Sequence, residues 1–128
     1  MGKVKFTMEF VLNSCSHSVL WTAISAPSEL SNWFADDVKL KGDKWIFEWD
    51  GVPQVATRLS CRDMKLVKFR WDGDSSDCYF ELKINDDALT GNVTLVVTDF
   101  AEENEVEDAK LLWEEQVRML GLYLGIRL

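Results

Sequence analysis

The chain has 128 residues, enough to bury a sizeable core and of the length usual for one domain. Its 47% hydrophobic and 28% charged content is that of a globular protein and excludes a disordered or low-complexity chain. A formal net charge of -8 opposes contact with a phosphate backbone or an anionic bilayer, so neither nucleic acid nor membrane is an expected partner.

Residues 3 to 12 alternate, with Val4, Phe6, Met8, Phe10 and Leu12 on one side and Lys3, Lys5, Thr7 and Glu9 on the other, which predicts an amphipathic strand. Asn13 to Ser18 interrupt the alternation with small polar residues and offer N-caps for a short helix through Val19, Leu20, Trp21, Ala23 and Ile24. Pro27 suits the first position of a second short helix, through Glu29, Leu30, Trp33 and Phe34, because its fixed φ fits there and its missing N–H is not needed.

From Asp36 to Phe100 the pattern is that of strands joined by tight turns. Gly42-Asp43 separates residues 37 to 41 from Trp45-Ile46-Phe47-Glu48-Trp49, and Asp50-Gly51 is a strong hairpin signal before a strand over 53 to 62. After a turn at Asp63-Met64, Val67, Phe69 and Trp71 share a face. A polar loop, residues 72 to 77, leads to a strand with Phe80, Leu82 and Ile84 on its inner side. A turn region over 85 to 91 precedes the last strand, 93 to 100. Consecutive hairpins of this kind build an antiparallel sheet.

The acidic run from Glu102 to Glu105 suits a helix N-terminus, where the macrodipole favours carboxylates. Val106, Ala109, Trp113, Val117, Leu120 and Leu124 then mark the inner face of a helix of about twenty residues, and Leu112, Met119, Tyr123 and Ile126 are expected to widen that stripe. The whole run from Glu102 to Asp108 reads as a solvated helix start or as a docking surface for a basic protein.

The order of elements resembles the helix-grip (SRPBCC) fold, shared by START-type lipid-transfer domains, birch-pollen-allergen-like proteins, polyketide aromatases and domains similar to the activator of the heat-shock chaperone ATPase. The segment Ser25-Ala26-Pro27-Ser28-Glu29-Leu30-Ser31-Asn32-Trp33-Phe34 resembles the Pro-Glu-x-Leu-x-x-Trp-Trp/Phe signature of the activator-like branch. Leu89 to Leu95, Thr98-Asp99-Phe100-Ala101 and Leu112-Trp113 resemble its last strand and final helix. The likeness spans essentially the whole chain, is strongest to a bacterial START-like subgroup, and implies an α+β domain whose long C-terminal helix lies in a curved sheet of six to seven strands. Ala26 departs from the Asp or Thr usual before that proline, so the cap comes from Ser25 or is absent. Gly42-Asp43 stands where the family has a Gly-Gly pair.

Chemistry is sparse. His17, the one histidine, removes any His-pair metal site and reads as a surface polar residue beside Ser16 and Ser18. No P-loop, dinucleotide fingerprint or nucleophile elbow is present, so no cofactor, metal or catalytic residue is expected. Cys15, Cys61 and Cys78 are odd in number and lack C-x-x-C spacing, which reads as free thiols of a reducing compartment. With no apolar leader at the N-terminus, the expected location is the cytoplasm.

The six Trp and seven Phe carry the functional expectation. Trp45, Phe47, Trp49, Phe69, Trp71 and Phe80 alternate toward the C-terminal helix, where Trp113, Val117 and Leu120 would face them. They line a pocket for a small hydrophobic ligand, or they fill that space themselves. Among nearby polar residues, Glu48 and Arg70 fall on the solvent side, whereas a β-bulge would decide the side of Arg58 and Glu81. Non-enzymatic binding of a hydrophobic ligand is the leading expectation. A module that binds a protein partner or forms a homodimer comes second, and an aromatase or cyclase, which would need an inward acid-base pair, third.

Overall fold

A computed structural model describes residues 2–87 and 89–126. Strand β1 (Lys3–Leu12) is followed by helices α1 (His17–Ser25) and α2 (Pro27–Leu30). Six strands come next: β2 (Asp37–Lys41), β3 (Lys44–Trp49), β4 (Val52–Arg62), β5 (Leu66–Trp71), β6 (Phe80–Asp86) and β7 (Val93–Glu102). One 3-10 turn (Glu103–Glu105) leads into α3 (Val106–Leu124). The architecture is the expected α+β helix-grip fold. The meander β2 to β7 is antiparallel throughout, and β1 closes onto β7, giving the order β1-β7-β6-β5-β4-β3-β2.

Local chemistry explains the joints. Asp50 and Gly51 both take positive φ (51° and 79°), the backbone that a two-residue hairpin needs to match strand twist. Ser16 caps α1 through its hydroxyl, which accepts from the Val19 N–H. Ala26 supplies no side-chain cap to α2, and Ser25 instead donates to the Trp21 carbonyl. Helix α2 stops at Leu30, short of the expected Trp33 and Phe34, because Ser31 and Asn32 donate to the Pro27 and Ser28 carbonyls and the chain turns. At the other end Gly125 adopts φ 70°, and the N–H groups of Gly125 and Ile126 return to the Leu122 and Gly121 carbonyls. Ile126 therefore follows α3 instead of extending its stripe.

Helix α3, about 28 Å long at 1.5 Å per residue, lays Trp113, Val117 and Leu120 on the sheet. Beneath it the inner-facing positions Phe47, Phe69, Leu82, Leu95 and Val97 are fully buried. Each large side chain so buried contributes roughly 1.5–3 kcal/mol of transfer free energy. Leu112, Met119 and Tyr123, expected to widen the inner stripe, are instead exposed, as are Leu111 and Leu122. Among the described residues no helix is long and apolar enough to cross a membrane.

Candidate functional site

The outer end of the space between α3 and the sheet is not filled. A half-open cleft of about 380 Å³ lies there, bounded by Phe34, Trp49, Trp71, Phe80, Leu112 and Trp113, with Gln54, Asp99 and Gln116 as its polar groups. Five rings form its wall as a closed circuit of contacts. Phe34 meets Trp49 edge-on at 5.4 Å between ring centres, Trp49 meets Trp71 at 5.9 Å, and Trp71 stacks on Phe80 at 5.1 Å. Phe80 then reaches Trp113 at 6.2 Å, and Trp113 stacks back on Phe34 at 5.6 Å. These separations are those at which aromatic pairs attract beyond simple area burial.

The turn after α2 fixes this circuit. The Phe34 carbonyl accepts from Trp49 Nε1 at 3.0 Å and from Gln116 Nε2 at 3.1 Å, joining the turn to β3 and α3. Asp36 holds the same turn to the β3–β4 hairpin, since its N–H donates to the Glu48 carbonyl and its carboxylate accepts from the Asp50 N–H. Trp33, next along, is buried beneath α1 and donates its indole N–H to the Ala23 carbonyl at 2.8 Å.

Asp99 is the charged group of the cleft. The alternation of Val93, Leu95 and Val97 in β7 puts it on the inner face, where Trp113 Nε1 donates to its Oδ2 and the Phe100 N–H to its Oδ1, both at 2.8 Å. Burial raises its pKa above the ordinary carboxylate value, and the two donated hydrogen bonds only partly oppose this. Lys3 on β1 contributes a weaker attraction, but its ammonium is bonded to Asp74 at 2.9 Å.

The expected site residues divide along α3. Trp49, Trp71, Phe80 and Trp113 border the cleft. Trp45, Phe47, Phe69, Val117 and Leu120 lie in the closed core behind it, where Phe47 and Phe69 pack edge-to-face at 5.7 Å. Glu48, Arg58, Arg70 and Glu81 do not line it. Arg58 lies opposite inner-facing Phe69, just before a bulge in β4, and its guanidinium sits 5.4 Å from the centre of the Trp45 ring. Arg70 points outward and donates to the Ser76 and Cys78 carbonyls. Glu81, between buried Phe80 and Leu82, points outward too. Phe34, Gln54, Asp99, Leu112 and Gln116 are the lining residues that sequence reasoning missed. For Asp99 a signal existed: it continues the inward alternation of β7.

A single α-helix seated in a curved antiparallel sheet, with a cleft at one end, defines a helix-grip protein. The model of the START-like superfamily domain matches residues 1–126, and the chain belongs to that superfamily. The Bacteroides fragilis protein BfR322 is similar at 35% identity, with a TM-score of 0.69 over 100% of this chain and 95% of that one. The Aha1 dimer of Colwellia psychrerythraea shares the fold at 12% identity and a TM-score of 0.75, over 91% and 92% of the two chains. DynU16, from the dynemicin biosynthetic locus, shares it at 20% identity and a TM-score of 0.79, over 94% of this chain and 47% of DynU16. Comparison with curated proteins gives no match.

Proposed function

We propose that the chain binds a small hydrophobic ligand in the cleft between α3 and the sheet and carries out no reaction on it. The observation that carries this reading is the five-ring circuit around about 380 Å³ of half-open space, a volume within the usual range for small-molecule sites. Membership of the START-like superfamily supports it. Asp99 is the one titratable side chain among the described lining residues, which speaks for binding over acid-base chemistry. N-phenyl-1-naphthylamine, a neutral dye that brightens in apolar surroundings, tests the reading. It brightens saturably with the native chain and does so far less with Trp71→Ala. A flat titration, together with no thermal shift from fatty acids, sterols or flavonoids, ends the proposal.

A second reading, self-association or protein docking, has its own support. Leu111, Met119, Leu122 and Tyr123 expose apolar surface on α3 outside the cleft. Light scattering tests the homodimer form: a dimer that Leu111→Lys/Leu122→Lys dissociates favours it, and a monomer at high concentration counts against it.

A further inference from the structure

The half-open cleft is walled by aromatic rings and one carboxylate, and no Lys or Arg lines it among the described residues. Elsewhere the chain places its own cations on aromatic rings: Arg58 covers Trp45 at 5.4 Å, and Lys68 covers Tyr79 at 4.1 Å. Trp49, Trp71 and Trp113 have no such partner among the described residues. Indole is the ring that attracts a cation most strongly, and the attraction grows where water is excluded.

Asp99 makes the same demand by a different route. Its two oxygens each accept one N–H, from Trp113 and from Phe100, whereas a carboxylate has about four acceptor positions. Both donors are neutral, and among the described residues no basic side chain forms an ion pair with Asp99. A charge so placed, largely removed from water, is most readily compensated by an opposite charge brought in by a ligand. The net charge of -8 adds a long-range field that raises the local concentration of cations and depletes anions.

We propose that the ligand of this cleft is an organic cation, an ammonium carried on an apolar or aromatic body, with the charge between the Trp71 indole and Asp99. The inference rests on the cleft being a ligand site, and it narrows the class of ligand. Gln54 and Gln116 at the border supply further polar groups for the ligand's body.

Three probes of one shape separate the possibilities: (3-hydroxyphenyl)trimethylammonium, its uncharged isostere 3-tert-butylphenol, and the anion 3-tert-butylbenzoate. Shifts of the Trp113 indole N–H signal in NMR titrations of the native chain report binding at the cleft itself. The cation is expected to bind about tenfold or more tightly than the uncharged isostere, with the anion weakest. Asp99→Asn removes most of that preference while leaving the isostere's affinity nearly unchanged. Trp71→Leu, which keeps an apolar wall but removes the π face, lowers the cation's affinity more than the isostere's and serves where Asp99→Asn disturbs folding. An isostere that binds the native chain as well as the cation does, or better, overturns the cation proposal and leaves the hydrophobic-ligand reading standing. If none of the three binds, the cation proposal fails, and the neutral dye alone then decides the broader reading.

Discussion

The two ends of the space under α3 are built from the same residue types with opposite results. At the closed end Phe47, Phe69, Val117 and Leu120 are fully buried. At the open end Trp49 and Trp71 are half-buried, and Phe80 and Trp113 form wall as well as core. The difference lies in what covers the rings. Val117 and Leu120 of α3 belong to the same buried core as the closed end, whereas the open end is bordered by Leu112, Gln116 and the turn that carries Phe34. Aromatic content by itself therefore does not make a pocket. A pocket forms where the covering helix offers a polar or outward-turned side chain in place of another apolar one.

Large-to-small substitutions give the biggest contrast between the two ends. Phe47→Ala leaves a cavity in the buried core and is expected to lower stability by about 3–5 kcal/mol, read from urea unfolding. Trp71→Ala removes a larger ring from a half-buried position and is expected to cost clearly less, about 1–2 kcal/mol, while strongly weakening binding of the neutral dye. Equal destabilisation by the two changes would mean that the open end is core in solution, and the distinction between the ends would go.

Trp113→Phe sharpens the comparison within the open end, since it keeps a ring against Phe34 and Phe80 but removes the N–H that Asp99 Oδ2 accepts. A loss of about 1 kcal/mol at neutral pH is expected, because water reaching the cleft replaces part of the bond. A further rise in the Asp99 pKa, followed by carboxyl NMR, accompanies it. An unchanged Asp99 titration would show that the indole does not hold the carboxylate.

The Asp99 titration itself has a definite sign. Its folded pKa is raised, chiefly by burial, so the folded chain holds this proton more firmly than the unfolded one. The stability it contributes is complete below the ordinary value of 3.8 and is lost as pH rises through the higher folded value. Asp99→Asn lacks that slope, so its stability relative to the native chain is expected to improve as pH rises from about 3 toward neutrality. A difference that stays constant across that window would place Asp99 in water.

Much of this architecture is legible in the alternation of residues. Period-two spacing brings Phe47, Phe69 and Leu82 to one face, and three- and four-residue spacing brings Trp113, Val117 and Leu120 to meet them. Alternation specifies a side and says nothing of position along the covering helix, so it cannot separate Trp45 in the core from Trp49 at the cleft. Phe34 escapes for another reason. Its placement depends on Ser31 and Asn32 ending α2 through local side-chain bonds, a competition with the backbone that periodicity does not register. Gln116 sits between Trp113 and Val117 on α3, where a polar residue reads as surface until the Phe34 carbonyl is seen opposite it.

The smallest expected effect comes from His17, far from both ends of the cleft. Its Nδ1 lies 2.7 Å from an Asp86 carboxylate oxygen at the end of β6, and its Nε2 faces the Met64 carbonyl in the β4–β5 turn. Both partners are acceptors, so only the imidazolium, with a proton on each nitrogen, satisfies both at once. Its pKa is raised accordingly, chiefly by the Met64 carbonyl, with burial opposing and Asp86 adding to the rise. The folded chain therefore binds this proton more tightly than the unfolded one. The stabilisation is fully present below pH 6.5 and disappears as pH rises through the higher folded value. Because the pair is partly exposed, the gain is modest and screened by salt. Urea midpoints at pH 5.5 and 8.5 for the native chain and His17→Gln are expected to differ more at the lower pH and to converge at the higher one. Parallel midpoints at the two values would mean that the imidazole tie between α1, β6 and the β4–β5 turn does not persist in solution.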